Sequence, residues 1–261
     1  MDTPIAALPF ASGLLVGMMF CTELGRRLGL RALARDPGRS EPGAGAVEGA
    51  LFGLFGLLVA FTFSGAPSRF DDRRELIAVE ANDIGTAYLR VDLLAESEQP
   101  AIRRLFRSYL DSRLAFFRSL PDLDAAQLEY MNTLELQSQL WQAGLRASLV
   151  PGGHPDGAKL LLPALNAMID VTTTRLMAAR THPPRLIFYL LFAMGLVCAV
   201  VAGYGMAGTG RRNWMHGLAF CVTTAIVVFA ILEIEYPRFG LIRLDGYDQV
   251  LVELRGSMDP R

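Results

Sequence analysis

Four apolar runs, nearly free of charge, dominate the hydrophobic pattern of this chain. They occupy 5–22, 50–66, 186–210 and 216–232. Each is about as long as the roughly 17–25 helical residues that cross the ~30 Å hydrocarbon core of a bilayer. A soluble domain of this size rarely buries four such runs as core helices. We therefore predict four transmembrane helices, at about 5–25, 47–66, 186–207 and 214–236.

The segment between the second and third runs has the pattern of a soluble helical domain. Leu76, Ile84 and Val91 belong to an apolar series at helical spacing, with acidic residues between them. Further helices are predicted at 101–120, from an Asp122 cap to about 149, and at 158–181. No convincing alternating strand pattern occurs here. The predicted fold is all-α, with four transmembrane helices and an insertion of about four helices between the second and the third. The helices of this insertion could be continuous with the membrane helices at 66–70 and at 185.

This pattern divides the chain into four parts. They are transmembrane helices 1 and 2 (1–66), a helical extramembrane domain (67–185), transmembrane helices 3 and 4 (186–236) and a C-terminal tail (237–261). The first apolar run is preceded by a single charge, Asp2, and lacks the basic flank of a signal peptide. We expect it to be a retained helix.

Composition removes several classes of function. The net charge of −1 gives no basic field for nucleic acid. The three cysteines, Cys21, Cys198 and Cys221, lie in apolar runs and form neither a CxxC motif nor a disulfide framework. Nucleotide-binding and hydrolase motifs are missing, and the three histidines are far apart in the sequence. We therefore predict no enzyme, no cofactor and no metal site.

Two polar features border the apolar runs. The second run passes into a charged helix through the stretch that contains Arg69, Arg73 and Arg74. The fourth run ends in Glu233 and Glu235. Carboxylates inside a membrane span are costly and face protein or water; alternatively, the helix ends one turn earlier and both lie in the headgroup zone.

Small residues recur at spacings that suit close helix packing. Gly13 and Gly17 are four residues apart, as are Gly49 and Gly53, and Gly56 follows. Such spacing lets helix backbones approach each other in lipid. The pattern fits either a tight assembly of chains or packing within one chain.

The distribution of arginines favours an external 67–185 domain without deciding the orientation. The loops after helices 1 and 3 carry seven arginines, whereas the tail carries three. Because arginines in short segments favour the cytoplasmic side of a membrane, this count places those two loops inside the cell and the 67–185 domain outside it. Six more arginines flank this domain close to the membrane helices. Adding these six to the three of the tail gives nine arginines against seven, but long domains count little in this rule.

Two segments resemble bestrophins. "LLVAFTFSGAPSRFDDRRELIAVEAN" is similar to the second membrane helix of that family, through Phe61, Ala66, Arg69, Phe70, Arg74, Leu76 and Asn82. "EIEYPRFG" (233–240) resembles the acidic-Pro-Gly segment after the fourth helix. Together with "ELGRRLG" (23–29) and "EANDIGTAYLRVDLL" (80–94), these motifs identify the chain as a member of the bacterial bestrophin-like domain family.

The resemblance implies a homo-oligomeric ion channel, pentameric in bestrophins, in the bacterial inner membrane. Its partners would be other copies of the chain, the lipid bilayer and inorganic ions. The second helix would line the pore, with Gly53, Leu57 and Phe61 as a hydrophobic neck. Arg69, Arg73 and Arg74 would form a collar around the vestibule. Alternatively, Leu57 and Phe61 face lipid or neighbouring helices.

A second function fits the short-loop arginine count. With the 67–185 domain outside the cell, the protein would be an extracytoplasmic helical sensor or scaffold. Only two short loops would then face the cytoplasm, so such a protein would act through a membrane partner.

Overall fold

The computed structural model describes residues 5–36, 44–207 and 214–259. These residues form helices and no strand, which confirms the predicted all-α class. The helices are α1 (Ala7–Arg35), α2 (Ala44–Leu89), α3 (Gln99–Ser119), α4 (Leu123–Ala147), α5 (Gly157–Arg180), α6 (Arg185–Met206), α7 (Trp214–Glu235) and α8 (Gln249–Ser257), with a short 3₁₀ helix at Arg90–Leu93.

Among the residues that the structure describes, four helical segments are long and apolar enough to cross a membrane. They comprise α1, α2, the segment Gly157–Met206 that ends in α6, and α7. The first helix continues ten residues past its predicted end at 25, to Arg35. Glu23 accepts hydrogen bonds from Arg26 and Arg27, at 2.9–3.0 Å. Ion pairs at i+3 and i+4 on the same helix support this polar extension.

The two predicted junctions with the helical insertion differ. Helix α2 is continuous from Ala44 to Leu89 and passes through Pro67, so the expected continuity at 66–70 is confirmed. At the other junction, α5 ends at Arg180 and α6 begins at Arg185. Proline lacks an amide hydrogen and restricts the residue before it. The pair Pro183-Pro184 therefore accounts for the interruption.

The chain forms two compact units. The helical unit comprises residues 69–181 and 237–259, and the membrane unit comprises 5–68 and 182–236. The segment predicted as a separate tail thus belongs to the helical unit and contains α8, which the sequence pattern did not predict. The core of the helical unit includes buried residues from α2, α3, α5 and α8, among them Ile84, Phe106, Leu165 and Leu251.

In the membrane unit, two helices cross at glycines. A Cβ on Gly25 would lie 2.0 Å from the Val200 carbonyl oxygen, and one on Gly203 would lie 2.0 Å from the Thr22 carbonyl oxygen. Helices α1 and α6 therefore approach each other so closely that only glycine, which has no Cβ, fits at these two positions. The glycines that the sequence pattern singled out are different ones. Gly17 lies close to the Leu196 side chain, whereas a Cβ on the others would meet nothing within 4 Å: Gly13, Gly49, Gly53 and Gly56.

Candidate functional site

The three residues predicted to form the neck lie on one exposed side of α2. Phe61 is 69% exposed and Leu57 is 51% exposed. Phe55, Thr62 and Ala66 lie on another side of this helix and are buried, whereas Phe63 is exposed as well. The Thr62 hydroxyl donates to the Leu58 carbonyl within the helix, so its polar group needs no partner outside. The structure brings Gly53, Leu57 and Phe61 together on a face open to water, lipid or another chain.

The three arginines predicted as a collar have different surroundings. Arg73 is buried, and its guanidinium donates to the carbonyls of Ala178 and Thr181, at 3.1 and 2.9 Å. It thus binds carbonyls at the C-terminal end of α5, where a cation also complements the helix dipole. Arg69 is half-buried. The collar role of these arginines stays a prediction, and Arg73 is turned into the helical unit.

The third arginine is exposed but engaged. Arg74 pairs with Asp71 at 3.3 Å, and its guanidinium lies 5.4 Å from the centre of the Tyr247 ring. A hydrogen bond with Tyr247 is the main cause that raises the pKa of Arg74. Its charge is therefore directed toward Tyr247 and partly compensated by Asp71.

The two boundary carboxylates are buried in protein. Helix α7 continues to Glu235, so it does not end a turn earlier. Glu235 is fully buried and lies 2.9 Å from the Nδ1 atom of His182, whose ring stacks on Tyr236 at 4.4 Å between centroids. Glu233 is 5% exposed. Within the membrane unit, both carboxylates are thus buried in protein, and their place relative to the lipid headgroups stays a prediction.

Sequence reasoning missed a buried group of charges in the helical unit. Glu80 accepts hydrogen bonds from the guanidiniums of Arg113 and Arg175, and all three side chains are at most 6% exposed. Asp248 accepts from Arg238 at 2.7 Å and lies 3.5 Å from Arg175. The guanidiniums of all three arginines lie 4.1–5.0 Å from the centre of the Phe117 ring. Such separations allow cation–π attraction.

This group of charges holds distant parts of the chain together. Burial by itself would raise the pKa of the Glu80 carboxyl, but the charges and hydrogen bonds of Arg113 and Arg175 outweigh it and lower this pKa to about 2. Arg238 has a φ of 92°, a conformation that favours glycine. Its ion pair with Asp248 helps to hold that turn. In the sequence, these residues are visible only as charges within amphipathic helices. That pattern does not show which carboxylate pairs with which arginine.

Among residues 5–36, 44–207 and 214–259, no three His, Cys, Asp or Glu side chains are grouped as metal ligands. His154 accepts a hydrogen bond from the Asp156 amide in an exposed turn, and His182 pairs with Glu235. His154 and His182 thus have different partners.

These features define a multi-pass helical membrane protein with a long helix shared between a membrane unit and a helical unit. The family model of the Bestrophin-like domain matches residues 31–244. The chain belongs to the Bestrophin-like domain family, as its motifs predicted. The comparison with curated proteins returned no match.

Solved structures confirm the fold. The chain is similar to a bacterial bestrophin homolog from Klebsiella pneumoniae, solved with a tryptophan replaced by alanine. The TM-score is 0.66 and the identity 15%, over 97% of this chain and 100% of that chain. A second structure of a bacterial bestrophin homolog from this organism, with a tyrosine replaced by alanine, gives a TM-score of 0.63 and 14% identity, over 93% of this chain and 99% of that chain.

Proposed function

We propose that this protein is a homo-oligomeric ion channel of the bacterial inner membrane, with a pore lined by α2. The observation that carries the proposal is the exposed apolar face of α2. Leu57 and Phe61 are half or more exposed in a single chain, and the buried residues of this part of the helix, among them Phe55 and Thr62, lie on another side. Membership of the Bestrophin-like family and the bestrophin fold support this proposal.

The proposed neck would act through its lack of polarity. In a symmetric assembly, each of Gly53, Leu57 and Phe61 forms a ring of equivalent residues. A narrow ring of apolar side chains offers ions no substitute for their hydration shell, and it can empty of water altogether. Because Gly53 has no side chain, its ring would be wide. The rings of Leu57 and Phe61 would therefore form the narrowest and least hydrated part of the pore.

Replacing Phe61 by alanine should increase the ionic current several-fold. The smaller side chain widens the ring and lowers the cost of hydrating it. The measurement is single-channel conductance and open probability of purified protein in planar bilayers. Phe63→Ala is the matched control, because Phe63 is also exposed (46%) and lies about 200° away around the same helix. Equal currents in wild type and Phe61→Ala would remove Phe61 from the pore.

The helical unit should lie in the cytoplasm. Arginines adjacent to the membrane helices, such as Arg69, Arg180 and Arg185, favour that side. The test is a single cysteine in place of exposed Ser97, in a background without Cys21, Cys198 and Cys221. A membrane-impermeant thiol reagent should label Ser97→Cys only after the cells are permeabilised.

Labelling of intact cells would reverse this orientation. It would favour the alternative function, an extracytoplasmic sensor or scaffold, which needs a membrane partner. A cysteine in place of exposed Val47, in the membrane unit, controls for access of the reagent to lipid-embedded positions. Co-purification of a stoichiometric partner would then decide for the scaffold.

A further inference from the structure

The end of α1 carries the motif "ELGRRLG" (23–29), which has no part in the proposed pore. Gly29 of this motif lies against α6, where an added Cβ would be 2.8 Å from the Tyr204 carbonyl oxygen. Arg27 and Arg31 are exposed on the opposite face of α1. At about 100° per residue, both lie roughly 180° ± 20° around the helix from Gly29. One face of α1 thus packs within the membrane unit, and the other presents arginines.

The face that carries these arginines is apolar in the preceding turns. Phe20 is 69% exposed, and Val16 and Leu24, one turn before and after it, are 66% and 39% exposed. Arg27 follows Phe20 by seven residues, or about 10 Å and two helical turns, and lies within roughly 20° of its direction. This outer face therefore changes from apolar to cationic along a single helix. A phospholipid has the matching profile, with apolar chains followed by a charged headgroup.

The arginines retain positive charge for a ligand. Glu23 accepts hydrogen bonds from Arg26 and Arg27, yet the Arg27 side chain stays 66% exposed. Arg31 forms no ion pair with any of the residues that the structure describes. Residues 23–36 contain four arginines and two carboxylates, so the end of α1 is positively charged.

In a membrane-spanning α1, these arginines come where the helix leaves the hydrocarbon core. The apolar run that ends at 22 is about as long as this core is thick, and Arg27 lies about 7 Å further along the helix. Because the Cα–Cβ bonds of a helix tilt toward its N-terminus, the side chains of Arg27 and Arg31 reach back toward the apolar turns. Their guanidiniums can therefore meet lipid headgroups while their methylene groups stay in apolar surroundings.

We propose that Arg27 and Arg31 bind the phosphate of an anionic phospholipid whose acyl chains lie along Phe20. A guanidinium offers phosphate oxygens paired, charge-assisted hydrogen bonds. Basic clusters beside a membrane helix favour anionic over zwitterionic lipids, because the ammonium group of a zwitterionic lipid offsets the attraction of its phosphate. The site is built on one helix, and it goes beyond the proposed channel function.

The experiment measures lipid binding beside Phe20 by fluorescence quenching. Phe20→Trp is combined with Trp141→Phe and Trp214→Phe, which leaves a single tryptophan on this face. The protein is reconstituted in phosphatidylcholine vesicles that contain brominated phosphatidylglycerol or, in a parallel series, brominated phosphatidylcholine. Bromine quenches tryptophan only at close range. The relative binding constant should favour phosphatidylglycerol at least about fivefold, which is the contribution of one arginine near a lipid surface.

In the same background, Arg27→Gln/Arg31→Gln should lower this preference to about one. Both arginines are exposed, and Glu23 keeps its ion pair with Arg26, so folding should be preserved. Raising the salt from about 0.1 M to 1 M should weaken the preference of the parent, because screening shortens the Debye length.

The matched control is Arg104→Gln/Arg118→Gln, which removes the same charge from exposed positions on α3 and should keep the preference. A parent ratio near one, or a ratio unchanged by Arg27→Gln/Arg31→Gln, would overturn the inference. Loss of the preference in excess inorganic phosphate, but not in KCl of equal ionic strength, would also overturn it by identifying a site for free anions. Absence of quenching by either lipid would overturn it too, because protein, such as a second copy of the chain, would then cover this face.

Discussion

Replacing Glu80 by glutamine should lower the free energy of unfolding of the helical unit by about 3–5 kcal/mol. Glu80 is fully buried and is shared by two guanidiniums, those of Arg113 and Arg175. An amide of the same size leaves both buried cations without this counter-charge. Removing one member of a buried ion pair costs more than the pair contributes, because the remaining charge stays out of water. The measurement is chemical denaturation of detergent-solubilised protein, followed by far-ultraviolet circular dichroism.

The control for this prediction is Glu135→Gln. Glu135 is an exposed carboxylate on α4 that accepts a hydrogen bond from Gln139 on the same helix. An exposed interaction of this kind contributes little to stability, so its midpoint of denaturation should match that of wild type. A midpoint for Glu80→Gln that also matches wild type would contradict the assignment of Glu80 as the centre of the charged group.

Acid titration measures the same interaction independently. Although burial opposes it, the influence of Arg113 and Arg175 lowers the pKa of Glu80 from 4.5 to about 2. A carboxyl with a lowered pKa stabilises the folded state above its unfolded pKa and loses this contribution as the pH falls toward the folded pKa. The wild type should therefore lose about 3 kcal/mol between pH 4.5 and about 2. In Glu80→Gln this part of the pH dependence should be missing.

Local patterns predicted the helical elements well. Apolar runs of the right length identified the four candidate membrane helices, because the bilayer fixes both length and composition of a spanning helix. Asp122 was predicted as a cap, and its carboxylate accepts from the amides of Asp124 and Ala125, at 3.1 and 3.0 Å. Such capping depends only on residues two and three positions away. It can therefore be read from sequence.

Contacts between distant residues could not be predicted. Glu80 meets Arg113 and Arg175, which are 33 and 95 residues away. In the sequence, each of these charges has the appearance of a solvated helix face. The collar shows the same limit: Arg73 and Arg74 are neighbours in sequence, yet one is buried and the other exposed. A side chain's direction around a long helix depends on what packs against that helix.

The glycine pattern illustrates how packing selects among equivalent sequence signals. Gly25 and Gly29 are four residues apart, like Gly13 and Gly17, but arginines lie between them, so an apolar small-residue motif is not evident. In the structure, Gly25 contacts the backbone of α6, and a Cβ on Gly29 would lie 2.6 Å from that of Ala207. The polar end of α1 therefore provides the close crossing.

Replacing Gly203 by alanine should destabilise the membrane unit by about 3 kcal/mol or more, at the upper end of the cost of overpacking. The added methyl group would lie 2.0 Å from the Thr22 carbonyl oxygen, which is backbone and cannot rotate away. Helices α1 and α6 must separate by about 1 Å to admit it, and the contacts around Gly25 weaken with them. The measurement is the melting temperature of the purified protein in detergent, from the loss of the monodisperse chromatographic peak.

Gly49→Ala makes the same change where a Cβ would meet nothing within 4 Å. Alanine has the higher helix propensity by about 1 kcal/mol, so this control should melt at or above the wild-type temperature. Gly25→Ala should behave like Gly203→Ala, because its methyl group would lie 2.0 Å from the Val200 carbonyl oxygen at the same crossing. If Gly203→Ala and Gly25→Ala both have the same melting temperature as Gly49→Ala, the backbones of α1 and α6 are not in contact at this crossing. A selective loss in the two crossing variants would establish that this contact, and not general tolerance of alanine in a membrane helix, holds the unit together.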